Sequence, residues 1–207
     1  MTRALEFDPD EPVTALARRL LGAELWVRRR GLDPVAGRIV ETEAYGPDDP
    51  ASHAHRGPSP RNRAMFAAPG ALYVYRSYGI HWCVNVAAEA EGVGAAVLIR
   101  AVEPIAGVDL QWTRRPKARS VVDLGSGPGK LCAALGIDGD DDGLLPDTGP
   151  IALVDGEAAS GGEVWCGPRV GISKAVDRRW RFALGGADGR VERWVSGPRR
   201  TLRRELE

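Results

Sequence analysis

Val13, Leu16, Ala17, Leu20 and Leu21 recur at helical spacing behind Asp10 and Pro12, with Gly22 placed to close the last turn. This predicts a short amphipathic helix with one face on a core. From there the period changes. Glu24 to Arg28 and Val35 to Tyr45 read as strands joined by a turn at Gly31 to Pro34. Ala71 to Tyr75 and Ile80 to Ala88 are two further β-rich runs around Arg76-Ser77-Tyr78-Gly79, and so short a break predicts a hairpin with Tyr78 near its tip. Ala95 to Ala101 is a continuous apolar run with Arg100 at its end, in the manner of a buried strand. Gly127-Pro128-Gly129 opens a helix that runs through Leu135 and is closed by Gly136. Ile151 to Val154 is an apolar run inside an acidic, glycine-rich stretch from Asp138 to Gly162, and Arg169 to Ile172 and Arg181 to Leu184 are short late strands. Between Gly46 and Gly70 neither period holds; such a long loop in a compact domain is usually functional, and this one carries His53, His55, Arg61, Asn62 and Arg63.

The chain has 207 residues, 43% of them hydrophobic, which is enough for one domain with a real core. No stretch has the apolar length of a spanning helix, so a soluble, cytoplasmic protein is expected. Cys83, Cys132 and Cys166 lie far apart without a Cys-x-x-Cys pair and read as structural thiols of a reducing compartment. Twenty-eight basic and 28 acidic residues cancel, but not uniformly. Ala158 to Glu207 holds eleven Lys and Arg against six Asp and Glu, whereas Asp138 to Asp147 holds five Asp and no base. A neutral total therefore leaves room for a basic face and a polyanionic partner.

Glu41, Glu43 and Tyr45 fall at period two and share one strand face, with Val40, Thr42 and Ala44 on the other. An acid near a strand end can enter a pocket, activate a water and stabilise a cationic sugar-like transition state; surface carboxylates paired with Arg38 would leave the same pattern. Tyr78, flanked by Arg76 and His81, is placed either to wedge between stacked bases or to fold back over the core. Arg100, at the end of an apolar run, needs a partner such as Glu43 or Glu103, in a site or in a structural salt bridge. Val121 to Gly129 matches the strand and glycine-rich turn of adenosylmethionine-dependent methyltransferases, but the acidic loop that follows does not continue that fold. The same glycines suit a helix N-terminus at which Lys130 meets a phosphate. Asp138, Asp140, Asp142 and Gly143 match the first half of an EF-hand loop, yet position twelve is Gly149, so a solvated acidic loop and no metal are expected.

Taken in order, Glu41-Thr42-Glu43-Ala44-Tyr45, His53, Pro60-Arg61-Asn62-Arg63, Tyr73-Val74-Tyr75 with Tyr78-Gly79, Asn85, Leu98 to Pro104 and Gly127-Pro128-Gly129-Lys130-Leu131 resemble the alkyladenine (3-methyladenine) DNA glycosylase family from about Leu16 to Phe182. The resemblance implies a base-excision repair enzyme that flips an alkylated purine out of duplex DNA and hydrolyses its N-glycosidic bond. It implies Glu43 as the water-activating base, Arg100 as a residue holding that water, and the backbone carbonyl of the segment at Val170 as a further contact to it. It further implies Tyr45 and Tyr75 as the rings around the flipped base, with His53 hydrogen-bonding nearby. Asn85 resembles the residue that crowds the exocyclic amine of guanine, and Tyr78 the wedge left in the vacated stack. Arg61, Arg76 and Lys130 are the candidates for the DNA backbone. Arg76-Ser77 and His81 make the tip more polar than in many relatives.

The expectations are then an α+β fold over residues 1–207 as a single domain, with a curved, mainly antiparallel sheet, a protruding β-hairpin and packed helices. A monomer acting on double-stranded DNA with damaged purines is expected, without a cofactor. No lysine beside these motifs could attack the sugar, which implies a monofunctional enzyme. A methyltransferase and a non-catalytic damaged-DNA-binding protein are the competing classes.

Overall fold

The computed structural model describes residues 3–146, 149–156, 163–186 and 192–205. Residues 147, 148 and 157–162 of the acidic, glycine-rich stretch lie outside the described residues, as does part of the basic C-terminal third.

Among the described residues nine strands form one sheet: β1 (Glu24–Val27), β2 (Val35–Tyr45), β3 (Leu72–Ser77), β4 (His81–Ala87), β5 (Ala96–Ala106), β6 (Ile151–Val154), β7 (Val164–Gly167), β8 (Arg181–Leu184) and β9 (Arg203–Arg204). Their order is β3-β4-β5-β2-β8-β7-β9, with β1 branching from β2 toward β6, and every pairing is antiparallel. The architecture is α+β, as expected. The α-helices among the described residues are α1 (Val13–Arg19), α2 (Val108–Arg114), α3 (Val121–Gly125) and α4 (Pro128–Leu135). No helix among the described residues is long and apolar enough to cross a membrane.

The central strand β2 explains the branching. Its first half pairs with β1 and its second half with β8 on the same side, while β5 runs along the other side for its whole length. Irregular register between Ala36 and Thr42 marks bulges, which bend a strand and increase its twist. Gly37 packs so closely on Val102 that a Cβ there would lie 2.6 Å from its side chain.

One face of the sheet is apolar. Val40, Leu72, Val74, Val84, Val86, Val97, Ile99 and Phe182 pack there against Val13, Leu16 and Ala17 of α1 and Leu131, Cys132 and Leu135 of α4. Thr42 belongs to this face too and satisfies its hydroxyl on the Ala17 carbonyl at 2.7 Å. The opposite face carries the polar residues described below.

Three sequence expectations change, and the methyltransferase alternative, already disfavoured by the acidic loop, loses its strand. Val121–Gly125 is a helix, N-capped by the Ser120 side chain, so the strand that a methyltransferase turn requires is not formed. α2 lies in a stretch where no element was expected. The strand near residue 170 is β7, so Arg169 to Ile172 is the loop leaving it. The acidic loop is not simply solvated: Asp141 is buried and paired with Arg29 at 2.6 Å, and Asp142 accepts the Val74 N–H of edge strand β3 at 2.8 Å.

Candidate active site

The polar face gathers at the second half of β2. Glu41 and Glu43 share the side predicted by the two-residue period, yet both are fully buried, and Arg38 bonds Glu103 instead. Three donors hold Glu43. The Val170 N–H reaches Oε1 at 2.7 Å, the Arg100 Nη1 approaches Oε1 at 3.3 Å, and the Tyr45 hydroxyl donates to Oε2 at 2.8 Å. Burial raises the Glu43 pKa above the ordinary carboxylate range, only partly offset by Arg100 and the two hydrogen bonds. Burial, followed by the neighbouring Glu43 charge, likewise raises the Tyr45 hydroxyl. The main-chain group at position 170 that meets Glu43 is the amide.

Arg100 pairs with Glu41 and Glu43, and not with Glu103. Its Nε lies 3.0 Å from Glu41 Oε1, and its Nη2 donates to the Ser196 hydroxyl at 3.2 Å. Burial opposes its charge, but the two carboxylates outweigh it and the net shift is upward. Behind Tyr45 lies a second buried pair. Arg169 forms a two-pronged bond to Asp49, donates to the Ala44 carbonyl at 2.9 Å and stands 4.6 Å from the Tyr45 ring centre. One face of Tyr45 is therefore covered by a guanidinium.

β3 and β4 build the opposite wall. Tyr73 and Tyr75 stack with ring centres 5.2 Å apart, and His53 meets Tyr75 edge-on at 4.6 Å while its Nδ1 lies 2.9 Å from the Tyr73 hydroxyl. Burial, then the nearby Arg61 charge, lowers His53; burial pushes the Tyr73 hydroxyl up to about 12. Buried Asn62 fixes the loop that brings His53 and Arg61 here, donating to the carbonyls of His53 at 2.9 Å and Gly57 at 3.1 Å. Arg61 stands 5.9 Å from the Tyr75 ring centre. Asn85, opposite Tyr73 in register, anchors its amide on the Tyr73 carbonyl at 2.9 Å.

Between these walls is a cleft of about 740 Å³ whose lining includes Tyr45, His53, Tyr75, Asn85, Arg100 and Val170. Glu43 lies directly behind Tyr45, Arg100 and Val170 rather than in the lining itself. The β3–β4 hairpin forms the rim. Tyr78 does not fold back: it is 91% exposed at φ 50, next to Gly79 at φ 69, and Ile80 is 68% exposed. A non-glycine residue in the left-handed region is uncommon and marks a tightly specified turn. Arg76 lies over the Trp82 ring at 5.2 Å. Lys130 is half-exposed but bonded to Asp123, so its amine already has an anionic partner.

The structure thus brings Glu43, Tyr45, His53, Tyr75, Asn85, Arg100 and Val170 together, with Arg61, Arg76 and Tyr78 at the mouth. Lys130 stands apart from the lining, although its neighbour Pro128 is part of it. The sequence reading missed Arg169, Asp49, Arg181 and Ser196. A buried arginine heading the apolar run Arg181 to Leu184 was the one available signal.

A family profile described as "Methylpurine-DNA glycosylase (MPG)" matches residues 7–188. Among curated relatives, a protein of Agrobacterium fabrum is 51% identical over 173 residues, covering 83% of each chain. One from Nitrosospira multiformis is 49% identical over 172 residues, 83% of this chain and 85% of its own. One from Frankia casuarinae is 47% identical over 202 residues, 92% of this chain and 90% of its own. All three carry the provisional name 3-methyladenine DNA glycosylase.

Proposed function

The chain belongs to the methylpurine-DNA glycosylase family, and from that premise we propose that it excises alkylated purines of the 3-methyladenine type from duplex DNA, as one glycosylase domain and by hydrolysis. The observation that carries this reading is a carboxylate, Glu43, held by three donors behind a cleft walled by tyrosines and rimmed by an exposed tyrosine.

Tyr78 fills the gap in the stack when the damaged nucleotide leaves it, and damage lowers the few kcal/mol that unstacking costs. Arg61, Arg76 and Lys130 hold flanking phosphates, Lys130 after exchanging its Asp123 contact. The base enters between Tyr45 and Tyr75, beside His53. Alkylation at N3 or N7 leaves the purine positive, so an aromatic face attracts it more than a neutral base. Asn85, fixed by its bond to the Tyr73 carbonyl, occupies the space where guanine carries its amine.

Bond cleavage sends the glycosidic electron pair into the purine, whose charge makes it a good leaving group. Glu43 accepts the proton of the water that adds to the sugar, and its negative charge stabilises the developing oxocarbenium. Arg100 and the main chain at Val170 orient that water. No lysine lines the cleft among the described residues, which supports hydrolysis without strand cleavage. Because burial raises Glu43, excision falls off on the acid side at a pH above the ordinary glutamate value of about 4.3.

The test is a duplex with a single alkylated adenine. Release of the free base, leaving an abasic but unbroken strand, is expected. Binding without release would favour a damage-binding protein, and strand scission by the enzyme would remove the monofunctional mechanism.

A further inference from the structure

Glu41 is as deeply buried as Glu43, lies two residues away on the same strand face, and takes no direct part in the chemistry above. Its contacts are specific. Oε1 accepts from Arg100 Nε at 3.0 Å and from Arg181 Nε at 2.6 Å, and Oε2 accepts from the Ser196 N–H at 2.6 Å. Arg181 is fully buried and also donates to the carbonyls of Ser196 and Pro198. Ser196 closes the ring by accepting from Arg100 Nη2. The guanidinium nearest Glu43 is thus gripped on its far edge by a second carboxylate, which is itself braced from β8 and from the C-terminal segment. Ser196 lies past the stretch, residues 7–188, matched by the family profile.

We propose that Glu41, braced by Arg181 and Ser196, is a positioning residue that orients Arg100 toward Glu43 and keeps Glu43 a strong enough base to activate water. This rests on the glycosylase reading for what the base is used for, but not for the arrangement itself.

Two effects follow from one carboxylate. Geometrically, Arg100 has an Nε edge and an Nη edge, and occupying the first with Glu41 leaves Nη1 for Glu43 and the cleft. Electrostatically, a second guanidinium, Arg181, is paired with Glu43 in the β2–β8 register, and Arg169 stands behind Tyr45. Asp49 balances Arg169, and Glu41 balances what Arg100 and Arg181 together would otherwise impose on Glu43. Among the described residues this region is also faced by the hydroxyls of Tyr45 and Tyr75 and the Cys83 thiol, all raised by burial and so uncharged near neutrality, and by His53 beside Tyr75, which burial and then the Arg61 charge lower. Without the Glu41 charge the local field turns positive, Glu43 holds its proton less tightly and becomes a weaker base. Burial is the chief cause of the raised Glu43 pKa, and the Glu41 charge adds to it in the same sense.

The experiment is a side-chain carboxyl 13C NMR titration of the full chain, with the Glu43 signal assigned by its loss in Glu43→Gln, alongside single-turnover release of purine from an alkylated duplex across pH. In Glu41→Gln the Glu43 titration and the acid limb of the rate profile should both move to lower pH. The plateau rate should fall by about 3- to 10-fold, as Brønsted behaviour requires of a weakened base. Glu41→Asp should return the limb toward its original position. A folded Glu41→Gln protein with an unmoved Glu43 titration overturns the proposal, even if its rate falls, because a purely structural role would do that. Should Glu41→Gln fail to fold, Ser196→Ala, which removes only the hydroxyl brace, decides. A shifted Glu43 titration in that variant supports the proposal, and an unmoved one overturns it. Wild-type protein that releases no purine while its Glu43 titration responds to Glu41 would sink the glycosylase reading and leave this one standing.

Discussion

On β5, Val97 and Ile99 point to one side of the sheet and Leu98 and Arg100 to the other, and the same alternation on β2, β3, β4 and β8 sorts the molecule into two unlike faces. The helix-covered face is held by apolar burial, worth about 25 cal/mol per Å² removed from water. The cleft face buries three acids, Glu41, Glu43 and Asp49, with three arginines, Arg100, Arg169 and Arg181. Desolvating such groups costs several kcal/mol per ion, and close pairing largely offsets it without making a buried pair a strong source of stability. What the comparison teaches is a division of labour within single strands. Odd and even positions of one segment answer to different requirements, so stability and activity should respond to neighbouring substitutions in opposite ways.

The largest expected separation is on the apolar face. Ile99→Ala removes a fully buried side chain and should lower the unfolding free energy by about 2–5 kcal/mol, read from urea denaturation. Excision per folded molecule should be unchanged, and a proportionate loss of rate would mean that the faces are mechanically coupled.

Next is Glu43→Gln, one strand over. A loss of about 100-fold or more in single-turnover excision is expected from the missing base, with binding to damaged duplex retained. Stability should behave differently. Because the folded pKa of Glu43 is raised, its contribution to stability is present below the unfolded value of about 4.3 and is lost as pH rises through the folded value. The wild type should therefore lose stability relative to Glu43→Gln over that window, and parallel curves would contradict a raised pKa.

Tyr78→Ala should cost roughly 1–3 kcal/mol in flipping, the range for aromatic stacking on bases, reported by 2-aminopurine fluorescence beside the lesion. With 91% of the residue in solvent, melting should not move. An unchanged fluorescence signal would take the hairpin tip out of the mechanism.

The smallest effect is one of ratio. Asn85→Ser should raise excision of undamaged guanine relative to alkyladenine, because the obstructing amide is gone. An equal fall in both would make the Asn85–Tyr73 bond merely structural.

Much of this was legible from local pattern. The two-residue period put Glu41, Glu43 and Tyr45 on one face, and the four-residue break placed Tyr78 at a tip, because strand alternation and hairpin turns are short-range properties. The charge network was not. Asp49 and Arg169 are 120 positions apart, and Glu41 and Ser196 are 155 apart; such pairings leave no periodic trace, so Glu43 or Glu103 is the partner expected for Arg100 and its bond to Glu41 is missed. Val121 to Gly125 imitated a methyltransferase strand for a different reason. Its β-branched residues favour a strand, but the Ser120 cap and packing on β5 and α4 override that preference over a single turn and a half of helix.

The branching of the sheet at β2 has a consequence for how the site comes into being. A strand with an exposed edge can fray, and its amides exchange with solvent through local openings. β2 has ladder partners on both sides, and positions flanking the β1 and β8 ladders are also bonded: the Ile39 N–H to the Ala23 carbonyl at 2.8 Å and the Ala44 N–H to the Trp180 carbonyl at 2.9 Å. The strand bearing Glu41 and Glu43 therefore has no cheap way to open. Its amides should be among the slowest in the chain to take up deuterium, and the carboxylates they carry should be assembled only when the whole sheet is, so that a partly folded chain has no partly active form.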